Sequence, residues 1–373
     1  MTSRRTFLIA ALALAGCGGA PGIGPAPAMA FRAVPNAGWD AWVAGYKGRA
    51  LARGIPAGTI EAAFRGAGFI PEVIERDRSQ AEFSRSFEDY LQLVASEERV
   101  AEGRAAFARQ AGTLRAIEAR YGVPVEVVAA IWGIESRYGQ RRGEIPVVSA
   151  VSTLAYEGRR GPFFEGQLDA AMRILAAGDV SPERMTGSWA GAMGHTQFIP
   201  TSYLQSAVDW GGDGRRDVWG DDPSDALASA AAYLSGAGWR RGAPLAAEAG
   251  TPGAGERLLR PDAGGPAFGV GPNFAVVKRY NNSDNYALAV AYLAGRIAGA
   301  GPLRAGFGPD RYGLTLAQRQ EIQRRLGAAG YDVGNPDGVI GRGTRAAIEG
   351  FQRSRGLAVT GEPSVGLLRA LGG

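Results

Sequence analysis

The chain has 373 residues, with 57 glycines, 21 prolines, one cysteine and one histidine, and its 41 basic against 36 acidic side chains leave a net charge of +5. Such a length suffices for two or three domains, each with its own core. With Cys17 the single thiol and His195 the single imidazole, a disulfide within the chain, a Cys/His zinc cluster and a His-rich metal centre are excluded, and a serine triad would have to rest on His195. Charged residues at 21% and hydrophobic ones at 46% describe a chain that folds. Arg4 and Arg5 supply two of the positive charges, and no Lys/Arg run with interleaved aromatics follows, so nucleic acid is not the expected partner.

Ser3-Arg4-Arg5-Thr6-Phe7-Leu8 is a twin-arginine pattern, and the apolar run over 7–15 behind it is too short to span a bilayer as a helix. The segment reads as an export signal. Two processing sites compete: Leu14-Ala15-Gly16-Cys17 resembles a lipobox, and Ala28-Met29-Ala30 an ordinary A-x-A cleavage site. The lipobox is the favoured reading, with Cys17 as the lipidated residue and 18–30, rich in Gly, Pro and Ala, as a flexible tether. On the other reading Cys17 is an incidental small residue of the apolar run. The expected location is the periplasm, with the chain held in the outer membrane as a lipoprotein.

Beyond the signal, 39–122 is helical in character, with apolar residues three and four apart, as in Phe87, Tyr90, Leu91 and Val94. Pro124 opens a strong helix over 125–138, closed by Gly139. Further helices are expected at 163–177, 200–208, 224–234 and 285–298, the third announced by the capping oxygens of Asp222-Pro223-Ser224-Asp225. Over 242–272 the period is lost to Gly, Pro and Ala, which predicts an irregular excursion with short strands. A linker at 301–313 leads to a small three-helix unit, 314–373, with helices at 316–326, 344–355 and 364–371. The expected organisation is therefore signal and tether 1–30, a mainly α body 31–300 with a small irregular/β excursion, a linker 301–313 and a C-terminal module 314–373.

Val128, Ile131, Trp132 and Glu135 share one face of the helix after Pro124 by their spacing of three, four and seven. A carboxyl group thus ends an apolar stripe. Desolvation and the negative end of the helix both disfavour its ionised form, which suits a general acid at neutral pH. The competing reading is a Glu paired with Arg137, Arg141 or Arg142 on a solvated helix end.

Gly133-Ile134-Glu135-Ser136-Arg137-Tyr138-Gly139 resembles the catalytic signature of lysozyme-like lytic transglycosylases. Gly191-Ala192-Met193-Gly194-His195-Thr196-Gln197-Phe198-Ile199-Pro200-Thr201-Ser202-Tyr203 resembles their second signature, and Tyr280-Asn281-Asn282-Ser283-Asp284-Asn285-Tyr286-Ala287 their third. The three stand in the family order, with the match nearest to the B-type lytic murein transglycosylases and extending over about residues 39–298. The resemblance implies a lysozyme-like fold with Glu135 as catalytic acid. It also implies substrate-lining positions at Ser188, Gln197, Tyr233, Asn281 and Tyr286, and a substrate-contacting arginine at Arg160 or its neighbour Arg159. A tight turn over 191–194 and core packing of Tyr233 and Tyr286 explain the same residues structurally. His195 receives no catalytic role.

Hydrolytic glycosidases use two carboxylates, whereas the matched signatures hold one. The resemblance implies that Glu135 protonates the oxygen between N-acetylmuramic acid and N-acetylglucosamine, then takes the proton from the muramyl 6-hydroxyl as it closes onto C1, leaving a 1,6-anhydro end. A hydrolysing muramidase and a non-catalytic wall scaffold are the competing readings. No cofactor is expected for the chemistry.

Asp209, Asp213 and Asp217 stand at positions 1, 5 and 9 of an EF-hand-like loop with Gly214 at position 6, but Gly211 and Gly220 occupy positions 3 and 12. In the family a similar loop can bind calcium, with Asp225 the matching later ligand and Asp221 and Asp222 as nearby alternatives. A capped acidic turn accounts for the same residues. In the C-terminal unit, Asp337-Gly338-Val339-Ile340-Gly341, Thr344, Ala347, Phe351-Gln352, Gly356-Leu357 and Thr360-Gly361 resemble the type 1 peptidoglycan-binding domain. Peptidoglycan glycan strands are the partner so implied, together with a membrane through the N-terminal lipid.

Overall fold

The computed structural model describes residues 31–79 and 86–372. The expected signal segment, with Cys17, lies outside the described residues. The fold is mainly α, as expected. Among the described residues six helices precede the buried one: α1 (Ala37–Ala52), α2 (Ala57–Phe64), α3 (Pro71–Ser79), α4 (Phe87–Val94), α5 (Glu97–Arg109) and α6 (Ala111–Tyr121). Their starts follow side-chain chemistry, since Asn36, Ser86 and Ser96 each accept from a backbone N–H of the first turn. Gly122, left-handed at φ 72°, ends α6.

Helix α7 (Val125–Ser136) is buried from Val127 through its last residue. Its sequence is apolar around almost the whole circumference, as a helix enclosed by others requires. It packs against α5, α6, α11 (Ser224–Gly236) and α13 (Asp284–Ile297). Helices α8 (Val147–Glu157), α9 (Gly161–Ala177) and α10 (Pro200–Ser206) form the neighbouring layer, and the two-residue strands β1 (Ile145–Pro146) and β2 (Thr186–Gly187) pair antiparallel beside α8.

The excursion does contain strands. β3 (Ala246–Glu248), β4 (Arg257–Leu259) and β5 (Phe268–Val270) form an antiparallel sheet in the order β3-β5-β4, with Ala247 and Leu258 both opposite Gly269. A Cβ on Gly269 would stand 2.2 Å from the Gly255 carbonyl oxygen, so glycine is required where the chain doubles back against the central strand. Phe268 anchors the sheet by meeting Phe87 of α4 edge-on, centroids 5.5 Å apart. Helix α12 (Pro272–Tyr280) then leads into α13.

The last unit holds α14 (Leu316–Ala328), α15 (Arg342–Ser354) and α16 (Val365–Ala370) around its own core of Leu314, Ile322, Leu326, Ile348, Phe351 and Leu367. Thr315 and Gln318 form a reciprocal capping box at the start of α14. Arg319, 1% exposed, joins this unit to the body through Glu88 and Asp89 of α4 and Asp310, each at 2.8 Å. Among the described residues no helix is long and apolar enough to cross a membrane.

The helix expected over 125–138 stops at Ser136, because Arg137 and Tyr138 take positive φ values of 50° and 56°. Helix α10 likewise ends at Ser206, short of 208, where Ala207 turns extended.

Candidate active site

Glu135 occupies the last turn of α7 with 9% of its surface exposed. Two consecutive non-glycine residues in the left-handed region follow it, an arrangement that costs about 1–2 kcal/mol per residue and must be held by its surroundings. Ser136 Oγ donates to the His195 carbonyl at 2.6 Å and accepts from the Gly139 N–H at 3.0 Å. The Tyr138 hydroxyl donates to the Arg99 carbonyl at 3.3 Å, and the Arg137 guanidinium is paired with Glu98 and Glu102 of α5. Arg142 is taken up by Asp221 at 3.0 Å and by the Trp219 carbonyl at 2.9 Å.

Glu135 therefore does not end on a solvated arginine cluster. Its carboxyl accepts one hydrogen bond among the described residues, from the Tyr286 hydroxyl to Oε1 at 2.7 Å. Burial pushes its pKa from the usual 4.5 up to about 8, against a smaller lowering by the Tyr286 hydrogen bond. Tyr286 remains protonated, because burial and then the Glu135 charge raise its own pKa well above 10. With the phenol donating to Oε1, the carboxyl proton resides on Oε2, free of the tyrosine.

Tyr286 is delivered by the first turn of α13, where Ser283 Oγ accepts from its backbone N–H at 3.3 Å. Tyr280, at the end of α12, stacks parallel to it at 6.4 Å and donates to the Thr196 carbonyl at 2.5 Å. Tyr233 of α11 meets Tyr280 edge-on at 5.1 Å and donates to the Arg279 carbonyl at 2.6 Å. These three tyrosines and Phe198, which contacts both Tyr233 and Tyr280, form one aromatic wall. Tyr280 was not singled out from the sequence, although it opens the third signature. Its burial between two expected site residues is what assigns it.

Ser188 and Gln197 sit in the segment beneath this wall. Ser188 Oγ accepts from the Ala192 N–H at 3.1 Å, closing the tight turn that Gly191 allows at φ 80°. Gln197, itself at φ 52°, donates its amide to the carbonyls of Arg142 at 2.9 Å and Gly194 at 2.8 Å, which leaves Oε1 as its open polar atom among the described residues. Asn281 is half-buried in the turn between α12 and α13, where its carbonyl accepts from the Ser283 N–H at 2.7 Å. Of the two arginines, Arg159 is bound by Asp77, while Arg160 lies over the rings of Phe163 at 4.6 Å and Phe164 at 5.1 Å. Neither contacts the Glu135 group.

In the acidic loop the carboxylates bond the loop's own backbone. Asp209 accepts from the backbone N–H groups of Gly212, Asp213 and Gly214 at 2.6–3.2 Å, and Asp213 from Arg215 at 2.9 Å. Asp217 accepts from Trp219 and Gly220 at 2.9 Å, and Asp225 from Trp210, Gly211 and Asp217 at 2.8–3.2 Å. Among the described residues no group of three or more acidic, His or Cys side chains converges as a metal would need. In this structure the four carboxylates cap their own turn.

Residues 38–262 and 251–295 match the transglycosylase SLT domain family, and residues 315–371 match a peptidoglycan binding domain. The chain belongs to the transglycosylase SLT family. It is 42% identical to SltB3 from Pseudomonas aeruginosa, solved in complex with NAG-NAM-pentapeptide, with a TM-score of 0.70 over 90% of this chain and 100% of that one. The same enzyme was also solved with NAG-anhNAM-pentapeptide. Membrane-bound lytic murein transglycosylase B of Escherichia coli K12 is 35% identical over 211 residues, 48% of this chain and 58% of that protein, so the match spans less than two thirds of that relative. Slt35 of Escherichia coli, solved in complex with calcium, is 27% identical at a TM-score of 0.59 over 70% of this chain and 93% of that one.

Proposed function

We propose that this SLT-family chain is a lytic transglycosylase that cleaves the bond between N-acetylmuramic acid and N-acetylglucosamine in peptidoglycan, for cell-wall turnover or remodelling. The observation that carries the reading is a single carboxyl, Glu135, kept protonated by burial near pH 8 and hydrogen-bonded only to a neutral phenol among the described residues. Glu135 Oε2 gives its proton to the glycosidic oxygen as the C1–O bond breaks. The resulting carboxylate takes the proton of the muramyl 6-hydroxyl while that oxygen bonds to C1, so a 1,6-anhydro end forms and no water is consumed. A held intramolecular nucleophile reacts with the advantage of a high effective concentration, which removes the need for a second carboxylate to activate water.

Of the aromatic wall, half-buried Tyr233 offers a ring to the sugar while Tyr280 and Tyr286 are buried behind it, with Ser188, Gln197 Oε1 and Asn281 as polar contacts. Between the two candidate arginines, Arg160 is the substrate contact, because Arg159 is held by Asp77. The C-terminal module holds the same polymer. No cofactor takes part in the chemistry, and the acidic loop is a structural turn. On the same reading, the twin-arginine segment and Cys17 make the protein a periplasmic lipoprotein of the outer membrane, which the mass of the acylated N-terminal peptide would test.

The deciding experiment is mass spectrometry of muropeptides released from sacculi by the purified protein. Anhydro ends lack one water relative to reducing ends and are the expected product. Predominantly reducing ends would make the chain a muramidase, and no release at all would leave it a wall-binding scaffold.

A further inference from the structure

His195 belongs to no catalytic pattern in the sequence, yet five separate contacts converge on it. Its N–H donates to the Val218 carbonyl at 3.1 Å, and its carbonyl accepts from Ser136 Oγ at 2.6 Å, in the residue after Glu135. Its ring lies so close to the left-handed Gly139 that a Cβ there would stand 2.4 Å from Cε1. The Trp132 indole, three residues before Glu135 on α7, donates to Nδ1 at 3.1 Å. Nε2 lies 2.8 Å from the Gly220 carbonyl of the acidic loop. An indole nitrogen only donates, so Nδ1 accepts and the proton must sit on Nε2, where it is given to Gly220. One neutral tautomer satisfies both bonds. Protonating the ring would set two N–H groups against each other at Trp132 and place a charge beside Arg142, whose Nη1 is 3.4 Å from Nε2, with Asp217 and Asp221 as the nearest opposing charges.

The ring also borders a cavity of about 250 Å³, together with Trp132, Gly139, Arg142 and Asp221. Tyr138, in the left-handed turn after α7, lines the same space, and Glu135 does not. We propose that His195 is a positioning residue for Glu135: it clamps the strained turn after the catalytic carboxyl to the acidic loop and keeps water in the adjacent cavity away from it. This inference rests on Glu135 being the catalytic acid. It assigns the acidic loop a task as well, since its Gly220 carbonyl is the far anchor of the clamp.

The test is steady-state kinetics on solubilised glycan strands across pH 5–10 with the full chain and three variants. His195→Ala is expected to lower kcat by roughly 10- to 100-fold with KM within about threefold, as for a misaligned catalytic group. Its alkaline limb should move toward acid by about one pH unit, because water reaching Glu135 relieves the desolvation that raises it. His195→Asn puts an acceptor oxygen where Nδ1 stands and should restore most of kcat. Trp132→Phe keeps the packing, removes the donor and should shift the limb the same way as His195→Ala. The proposal is overturned if His195→Ala keeps the native limb, or if His195→Asn recovers nothing over His195→Ala. Should His195→Ala fail to fold, an unshifted limb in Trp132→Phe overturns it equally. If the unaltered protein releases no anhydro ends, the reading of Glu135 has failed instead.

Discussion

Replacing Glu135 by Gln should make the protein more stable while abolishing turnover, and the gain should depend on pH. In the unfolded chain the carboxyl ionises near 4.5, whereas in the folded protein it holds its proton to about 8. Between those values the folded state binds the extra proton, so the wild-type protein loses stability as pH rises. The slope is about 1.4 kcal/mol per pH unit, which over the interval amounts to roughly 5 kcal/mol, with about 3 kcal/mol already lost at pH 7. Glutamine keeps the shape and the acceptor for Tyr286 and has no proton to lose. Urea unfolding of both proteins from pH 4 to 9 would measure the difference: near zero at pH 4, opening toward pH 8 and constant above it. In melting temperature, 3 kcal/mol corresponds to roughly 6–12 °C for a body of this size. Stability curves that run parallel across this range would refute the argument that burial, not ion pairing, sets the acidity of Glu135.

Other expectations follow from the same geometry. Removing the Tyr286 hydroxyl with Tyr286→Phe takes away the one contact that lowers the Glu135 pKa. The alkaline limb of kcat should then move upward by about 1–2 units, the worth of a hydrogen bond to a charged group, and a downward move would contradict it. Arg319→Ala leaves Glu88 and Asp89 without their cation. The loss should be about 3–5 kcal/mol, partly recovered by adding Glu88→Gln and Asp89→Asn, and calorimetry should show the C-terminal unit melting apart from the body. Because the carboxylates of Asp209, Asp217 and Asp225 already accept backbone N–H groups, neither calcium at millimolar concentration nor a chelator should shift the melting temperature. A calcium-dependent rise of several degrees would show that the loop rearranges into a shell.

Glu135 was legible because one helical face runs from Val128 through Trp132 into a carboxyl, and burial of that face could be read directly from the period. The end of the same helix was not, since the left-handed turn at Arg137 and Tyr138 is imposed by Glu98, Glu102 and the His195 carbonyl, distant in sequence. Helix α8 is not legible in the sequence because its run of Val, Ser and Ala is buried along nearly its whole length and shows no polar face to set a period. The choice between Arg159 and Arg160 hung on Asp77, 82 positions before Arg159. The loop at 209–217 presents aspartates that suit either a cation or their own backbone, and composition cannot say which way a carboxylate turns. A lone histidine has no pattern, and its meaning came from Trp132 on one side and Gly220 on the other.

The single carboxyl is a consequence of electrostatics as much as of product chemistry. On the proposed mechanism Glu135 gives a proton in the first half of the reaction and takes one in the second, so its pKa has to stay near the working pH. Burial alone drives it upward, and the neutral Tyr286 hydroxyl holds it back at about 8. A second ionised carboxylate about 5 Å away, as in retaining hydrolases, would add roughly 3 kcal/mol of repulsion at an effective dielectric of about 20, or some two further pH units. In a site this dry the acid would then sit near 10, too weak to protonate a leaving oxygen well. Either the pocket must be wetter, as a hydrolase with its attacking water requires, or the second carboxylate must be absent and the nucleophile come from the sugar. The contacts of Glu135, limited to a phenol among the described residues, correspond to the second arrangement.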